Sequence, residues 1–331
     1  MDAIQLVHSL KKNPPAVVVV LGGGRNALEV AEAFQEEFHC RIFLITKNLP
    51  EKSLRVPLGV DVRVTQKLTR DYFESKFTGL NWERALLVSA GSQWIVEASI
   101  LDLFKGRAIN FHPGALPGNR GASAASWAIM NQDHAPRVTL HVMDGSIDSG
   151  QVILEELIPT PRPNFTMDEI IDGLSQAVIV LILNFSKLLQ SQENLAHSLT
   201  STEKSNYFPP ISASRNGWID WSWHGREILS FIKAFSAPYQ GASTYHHKKH
   251  VRILNAAFLE LEGSLHPFSY GLVVGKSDGL LRLAVLGGEI HIRDGDLVRN
   301  SKPYSHIRIG DRLHTPLKRV DESRFFRRKN I

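Results

Sequence analysis

The sequence contains little cysteine and no long uninterrupted hydrophobic run. Cys40 is the only cysteine among 331 residues, so the chain cannot form an internal disulfide, and a reducing compartment fits best. The first residues, MDAIQLVHSLKKNPP, lack the charged-then-apolar pattern of a secretion signal. The most apolar window, residues 177–183, falls far short of the ~20 residues that span a membrane. These absences predict a cytoplasmic protein that is not embedded in a membrane.

Basic residues outnumber acidic residues in the C-terminal part. The net charge is +5, and residues 201–331 hold 20 Lys and Arg against 12 Asp and Glu. Such an excess can attract nucleic acid or a phosphorylated substrate. A solvated basic surface with a basic tail explains it equally well, so charge alone does not identify a partner.

The first half of the chain has the pattern of a parallel sheet covered by helices. A β-branched run at residues 16–20 leads into Gly22–Gly24, an amphipathic stretch and the second apolar run CRIFLIT, which indicates a βαβ unit. Further strands are predicted at residues 85–89, 108–111 and 137–143, and helices at residues 123–131 and 167–190. The last helix follows a capping box that begins at Thr166. We therefore expect an α/β fold with a mostly parallel sheet.

The composition changes after this helix. Residues 191–205 are polar without periodicity and are interpreted as a linker. From residue 217 onward, one short helix precedes β-type runs broken by glycines, which indicates a small β-rich, barrel-like domain. The chain also exceeds the ~250–300 residues of a single core. Two domains are expected, at residues 1–200 and 201–331.

Three polar residues near the middle of the chain are candidates for catalysis. Asn110 and His112 lie two apart at the end of a predicted strand, so their side chains share one face. The turn-rich segment MDGSIDSG could bring Asp148 back beside them. Acyl transfer to an amine requires a proton acceptor and a donor to the oxyanion, which suits a carboxylate, an imidazole and an amide. Each residue alone would more often be a turn former or a satisfied polar group.

The surrounding forty residues resemble the core motif of formyltransferases that use 10-formyltetrahydrofolate. The matching positions are Asn110, His112, Leu116-Pro117, Arg120-Gly121, Trp127-Ala128-Ile129, Val138-Thr139, Met143-Asp144, Ile147-Asp148 and Gly150. Residues 207–244 also resemble the linker and the start of the C-terminal domain in methionyl-tRNA and amino-sugar formyltransferases.

This resemblance implies a fold, a donor and a site. The fold is a Rossmann-like formyltransferase domain followed by a small β-rich domain, and the catalytic residues are Asn110, His112 and Asp148. The formyl donor is 10-formyltetrahydrofolate, and no metal is expected. The folate would lie between two loops, formed by Ser92, Gln93, Trp94 and Ile95 and by Met143, Asp144, Gly145 and Ile147.

The glycine cluster has two interpretations. Gly23, Gly24, Arg25 and Asn26 lie between a strand and a helix, where backbone amides can bind the phosphate of an acceptor. A tight turn required by the junction is the simpler explanation. The cluster is not a dinucleotide fingerprint, because the third glycine and the acid after the second strand are missing.

The acceptor amine depends on features outside the three candidate residues. Trp127 and Tyr207 resemble what the amino-sugar enzymes carry at these places. Trp127 and Arg120 are expected to contact the acceptor. The segment after the second strand, TKNLPEKSLRVPLG, lacks the basic cluster that methionyl-tRNA enzymes carry there. A nucleotide-linked amino sugar is therefore favoured, with methionyl-tRNA as the alternative. A non-catalytic binding protein on the same scaffold is the alternative of another class, and an oligomer is left open.

Overall fold

Seven strands form the central sheet of the N-terminal half, and six of them run in one direction and one in the other. The computed structural model describes residues 1–51, 53–160, 165–192, 205–263 and 265–326. In chain order the strands of this half are β1 (Val17–Gly22), β2 (Arg41–Thr46), β3 (Val60–Val64), β4 (Ala85–Ala90), β5 (Ala108–His112), β6 (Arg120–Gly121), β7 (Arg137–Val142) and β8 (Val152–Leu157). The sheet order is β3-β2-β1-β4-β5-β7-β8, with β1 to β5 parallel and β7 antiparallel to both β5 and β8. The expected α/β fold with a mostly parallel sheet is thus confirmed.

Helices cover both faces of this sheet. They are α1 (Ala3–Lys12), α2 (Gly24–Phe38), α3 (Arg70–Lys76), α4 (Ala98–Leu103), α5 (Ala124–Met130) and α6 (Met167–Gln190), with a 3₁₀ turn at Trp82–Arg84. The alternation of a strand explains the two layers: Val18 and Val20 pack into the core that contains α1, α2 and α6, whereas Val19 and Leu21 pack with α3 and α4. Full burial of such a side chain contributes about 1.5–3 kcal/mol.

The long helix α6 forms as predicted. Its capping box is present, with Thr166 and Glu169 satisfying each other's backbone N–H groups. Among the described residues, α6 alone is long and apolar enough, by length and composition, to cross a membrane, with a mean hydropathy of 1.5. Half of the apolar segment is buried within this fold, where α6 packs against α2, and a core helix passes the same test.

The C-terminal half is β-rich, as expected. Its strands are β9 (Tyr207–Phe208), β10 (Ala242–His246), β11 (Lys249–Ile253), β12 (Ala257–Glu260), β13 (Val273–Ser277), β14 (Leu280–Val285), β15 (Gly288–Arg293), β16 (Leu297–Arg299), β17 (Lys302–Pro303) and β18 (Leu313–His314). Its helices are α7 (Ala213–Asn216), α8 (Gly225–Ala234) and α9 (Leu317–Phe325), with a 3₁₀ turn at Pro267–Ser269. Two antiparallel sheets form, ordered β17-β16-β11-β10-β18 and β12-β15-β14-β13, and a bridge between Leu272 and Arg312 joins them.

Some elements were not predicted. Helix α1 begins with a capping box of Asp2 and Gln5, a signal that was present in the sequence. Strand β8 ends in two half-buried glutamates and the exposed Leu157, so its apolar alternation is weak. The proposed linker falls mostly on residues 193–204, which lie outside the described residues, and the domain limits at residues 200 and 201 therefore stay a prediction.

Candidate active site at the edge of the central sheet

The end of β5 places Asn110 and His112 on one face, as the spacing predicted. Asn110 lies in the middle of β5 and His112 ends it, toward the carboxyl ends of the parallel strands, where open α/β sheets carry their sites. In the register between β5 and β7, Asn110 faces His141 and His112 faces Thr139. The sequence analysis had not singled out His141.

Asp148 returns to these residues through a tight loop, with its backbone in the left-handed region at φ 48°. Its Oδ1 accepts a hydrogen bond from Asn110 Nδ2 at 3.2 Å, and its Oδ2 accepts one from the Gly121 N–H at 2.9 Å. The same Oδ2 lies 3.4 Å from Nδ1 of His112. Asp148 therefore contacts both of the other residues that the sequence selected.

The imidazole of His112 is held in one orientation. Its Nε2 lies 2.6 Å from the Asn119 carbonyl, so Nε2–H donates to that oxygen and Nδ1 faces the carboxylate. Burial lowers the pKa of His112 below its ordinary value, although Asp148 partly opposes the shift. At neutral pH the Nδ1 lone pair therefore lies beside a carboxylate with no proton between them, an arrangement suited to accepting one.

Several interactions keep Asp148 ionised. Burial acts to raise the pKa of this carboxyl. Its contacts with His141, His112 and the Gly121 N–H act to lower that pKa and outweigh the effect of burial. The pKa therefore lies below its ordinary value. The site at neutral pH holds one negative charge beside a neutral imidazole.

His141 determines how Asn110 is oriented. The Nδ1 of His141 lies 2.8 Å from the Val142 carbonyl and donates to it, so the Nε2 lone pair accepts from Asn110 Nδ2 at 3.0 Å. The second Nδ2 hydrogen goes to Asp148. Both amide hydrogens are thus engaged, and a bond from Asn110 to an oxyanion requires that one of them be released.

A cavity of about 370 Å³ opens above these residues. Both loops that the sequence analysis assigned to folate line it. Their residues are Ser92, Gln93, Trp94, Ile95, Met143, Asp144, Gly145 and Ile147. Local bonds shape the loops, since Ser92 Oγ donates to the Trp94 carbonyl and Asp144 accepts from the Ser146 N–H. Ile95 and Ile147 are half exposed in the cavity and offer apolar contacts to a flat ligand.

Arg120 and Trp127 lie next to this cavity and do not line it. The guanidinium of Arg120 donates twice to the Ile147 carbonyl, at 2.9 and 2.6 Å, and so holds the second loop in place. The indole of Trp127 donates to the Pro209 carbonyl and lines a second, larger cavity of about 670 Å³. Contact of either residue with an acceptor stays a prediction.

The glycine cluster lies apart from the candidate residues. Gly23 caps the N-terminus of α2. The φ of Gly24 is +68°, a left-handed conformation that favours glycine. Arg25 pairs with Glu29 and Asp172, and Asn26 accepts from Ser175. These four residues do not line the cavity above Asp148, and their role as a phosphate site stays a prediction.

Two models of known protein families match this chain. The family model described as "Formyl transferase" matches residues 63–177, and "Formyl transferase, C-terminal domain" matches residues 212–302. Together they cover more than half of the chain.

Individual relatives carry two kinds of name. The methionyl-tRNA formyltransferase of Thermodesulfovibrio yellowstonii is 26% identical over 251 residues, which are 73% of this chain and 79% of the relative. That of Pelotomaculum thermopropionicum is 29% identical over 273 residues, 79% of this chain and 84% of the relative. Among solved structures, an N-formyltransferase from Helicobacter canadensis with folinic acid and dTDP-3-aminofucose has a TM-score of 0.62 at 18% identity and covers 88% of this chain and 100% of its own.

At this identity the structural likeness shows the fold, while the two family models show the family. The match continues through both halves of the chain, from the sheet that carries Asp148 to the β-rich C-terminal half. The chain therefore belongs to the formyl transferase family of enzymes.

Proposed function

We propose that this enzyme moves the formyl group of 10-formyltetrahydrofolate to the primary amine of a nucleotide-linked amino sugar. The observation that carries the proposal is the pairing of His112 Nδ1 with Asp148 Oδ2, 3.4 Å apart, below a cavity between two loops. Such a pair can take a proton from an attacking amine.

The transfer follows from the positions of these groups. The amine attacks the formyl carbon, which forms a tetrahedral centre with a negative oxygen. The ammonium proton passes to the Asp148–His112 pair. The bond between the formyl carbon and the folate nitrogen then breaks as the pair gives this proton to the folate nitrogen. When the carboxylate turns toward the amine, it releases one Asn110 hydrogen, which then bonds the oxyanion. His141 keeps the other hydrogen in place.

The folate assignment has support from the cavity and from a relative. Trp94, Ile95 and Ile147 provide apolar surface, while backbone groups of both loops are available to a heterocycle. The solved Helicobacter canadensis enzyme, which shares this fold, was crystallised with folinic acid. No step above needs a group beyond the chain and its two substrates.

An amino-sugar acceptor is favoured by the mouth of the cavity. Tyr207 lies there on β9, which pairs with β6, and is 53% exposed, so its ring can stack on a base or a sugar. None of the described residues that line the cavity is Lys or Arg, so the phosphates would bind at its rim. A reducing compartment such as the cytoplasm suits a chain with one free cysteine.

Methionyl-tRNA is the second candidate acceptor. Both curated relatives described above are methionyl-tRNA formyltransferases, and the C-terminal part of this chain is basic. The segment between β2 and β3 nevertheless carries scattered charges and no basic cluster. A purely binding role has lost support, since the chain belongs to an enzyme family.

One comparison separates the two acceptors. The protein is incubated with 10-formyltetrahydrofolate and either methionyl-tRNA or a panel of nucleotide amino sugars, and the formylated product is read by mass. We expect formylation of a nucleotide amino sugar, abolished in Asp148→Asn. Formylation of methionyl-tRNA alone, with an affinity that falls steeply with salt, would reverse the acceptor assignment.

A further inference from the structure

Three potential metal ligands meet in the C-terminal domain, far along the chain from the candidate active site. His246 ends β10, His247 begins the two-residue turn to β11, and Asp311 precedes β18. Nε2 of His246 lies 3.1 Å from Asp311 Oδ2, and Nε2 of His247 lies 4.0 Å from Asp311 Oδ1. All three ligand atoms lie within 4.8 Å of one another.

We infer that His246, His247 and Asp311 bind a divalent transition-metal ion, with zinc as the best match. Zinc bonds of about 2.0–2.1 Å in a tetrahedron place neighbouring ligand atoms about 3.3 Å apart. The measured separations of 3.1 and 4.0 Å need only a small closure of the exposed His247 side chain. Water would take the fourth position, because His247 leaves the cluster open to solvent.

Two neighbours hold the ligands in the required orientation. The Tyr304 hydroxyl lies 2.9 Å from Nδ1 of His246, and its oxygen can accept a hydrogen bond from Nδ1–H so that Nε2 presents its lone pair. The Arg308 N–H donates to Asp311 Oδ2 at 2.8 Å. Such partners commonly orient histidine and carboxylate ligands around metals.

A structural hydrogen bond explains only part of this arrangement. A buried histidine paired with an aspartate would account for His246 and Asp311 alone. It does not account for His247. The side chain of His247 is 70% exposed, yet its Nε2 points toward Oδ1 of Asp311. Its backbone is left-handed at φ 52°, and its ring packs 4.3 Å from that of His246, centroid to centroid.

The ligands and their surroundings restrict the choice of ion. Calcium and magnesium prefer oxygen ligands, and two imidazoles with one carboxylate do not suit them. Lys248 and Lys249 on the same hairpin add positive charge, which disfavours ions that are held mainly by electrostatic attraction. Nitrogen ligation favours zinc, nickel or copper, and zinc accepts a tetrahedral site.

The ion would tie two segments of the domain together. β10 pairs with β18 through Tyr245–His314 and His246–Leu313, and the cluster lies beside this short contact. A metal bond between the hairpin and the segment before β18 would reinforce it. The inferred site lies outside the cavity above Asp148, and we expect no metal to take part in formyl transfer.

The test is zinc titration of the full chain after treatment with a chelator, followed by calorimetry and by thermal unfolding. We expect one zinc per chain and a rise in Tm, with an affinity at least tenfold lower in His247→Ala. Tyr304→Phe should lower the zinc affinity about tenfold, the usual effect of losing such a partner. His314→Ala, an exposed histidine of the same sheet outside the cluster, is the matched control and should bind zinc as the wild type does.

His247→Ala should fold normally, because its side chain is exposed, and circular dichroism checks this. Absence of zinc binding by the folded wild type would overturn the inference. Binding that is equal in the wild type and His247→Ala would overturn it too, since the zinc would then lie elsewhere.

Discussion

The amide nitrogen of Asn110 lies 3.0 Å from Nε2 of His141, its neighbour across β5 and β7. In the tautomer in which His141 donates from Nδ1 to the Val142 carbonyl, Nε2 accepts, and the Asn110 amide turns its nitrogen toward it. The buried imidazole is therefore a positioning residue for the proposed oxyanion donor.

Replacement of His141 tests this role. His141→Leu removes the acceptor and leaves the Asn110 N–H without a partner, so kcat should fall about 10- to 100-fold while the KM for folate changes little. His141→Gln offers a carbonyl oxygen and should restore part of kcat. Equal kcat values in the wild type and His141→Leu would show that Asn110 needs no such support.

The proposed proton acceptors should be indispensable. His112→Ala and Asp148→Asn each remove one half of the pair, and formyl transfer should fall by about 10²- to 10⁴-fold. The exposed His134→Ala serves as control and should keep full activity. Circular dichroism and Tm establish that each variant is folded, and near-normal turnover in both folded variants would contradict the assignment.

The protonation of His112 can be measured without turnover. Burial lowers the pKa of its imidazole below the ordinary 6.5, so the neutral form should persist at neutral pH and be lost only in more acidic solution. The Asp148 pKa lies below 3.8, and this carboxylate stays charged throughout that range. The imidazole NMR signal, assigned with His112→Ala, should titrate below pH 6.5, and kcat should fall on the same acidic side. Titration above pH 6.5 would contradict this assignment.

Gly121 supports the Asp148 loop through its backbone. Its φ is +107°, and an added Cβ would overlap the Phe208 carbonyl. Gly121→Ala should therefore lower the free energy of unfolding by about 1–3 kcal/mol and reduce activity, because the N–H that binds Asp148 moves. Gly145→Ala, in the other wall of the cavity, meets no atom within 4 Å and should leave Tm unchanged. Equal Tm values for the two variants would argue against this backbone role.

Replacement of Tyr207 should change the KM for the acceptor and leave the KM for the folate unchanged. If its ring stacks on the acceptor, Tyr207→Ala raises the acceptor KM about 3- to 10-fold, as expected for one aromatic contact. Tyr207→Phe keeps the ring and should behave as the wild type. Initial rates with each substrate varied in turn give both KM values, and a rise confined to the folate KM would place Tyr207 in the donor site instead.

Local patterns predicted much of the fold. The spacing of Asn110 and His112, the capping box at Thr166 and the glycine-broken runs after residue 217 each correspond to an element that formed. These signals depend on neighbours within a few residues, so one sequence suffices to detect them. The motif around residues 110–150 likewise indicated the family that the comparisons then showed.

Contacts between distant segments could not be predicted in this way. His141 lies within an apolar strand, and only the antiparallel register of β7 places it against Asn110. The glycine cluster matched a phosphate loop locally, yet the fold pairs Arg25 with Asp172 of α6 and leaves the cluster outside the cavity. Asp311 is separated from His246 and His247 by more than sixty residues of chain and meets them only because β18 returns to β10.

The sequence by itself determined the α/β fold, the formyl transferase family and the three candidate residues, because each depends on short-range periodicity or on a contiguous motif. The tertiary structure alone decided the orientation of the Asn110 amide, which ring nitrogen of His112 is unprotonated, and which residues line the cavity together. Those properties depend on burial and on hydrogen bonds between segments that are remote in the chain, which no local pattern encodes.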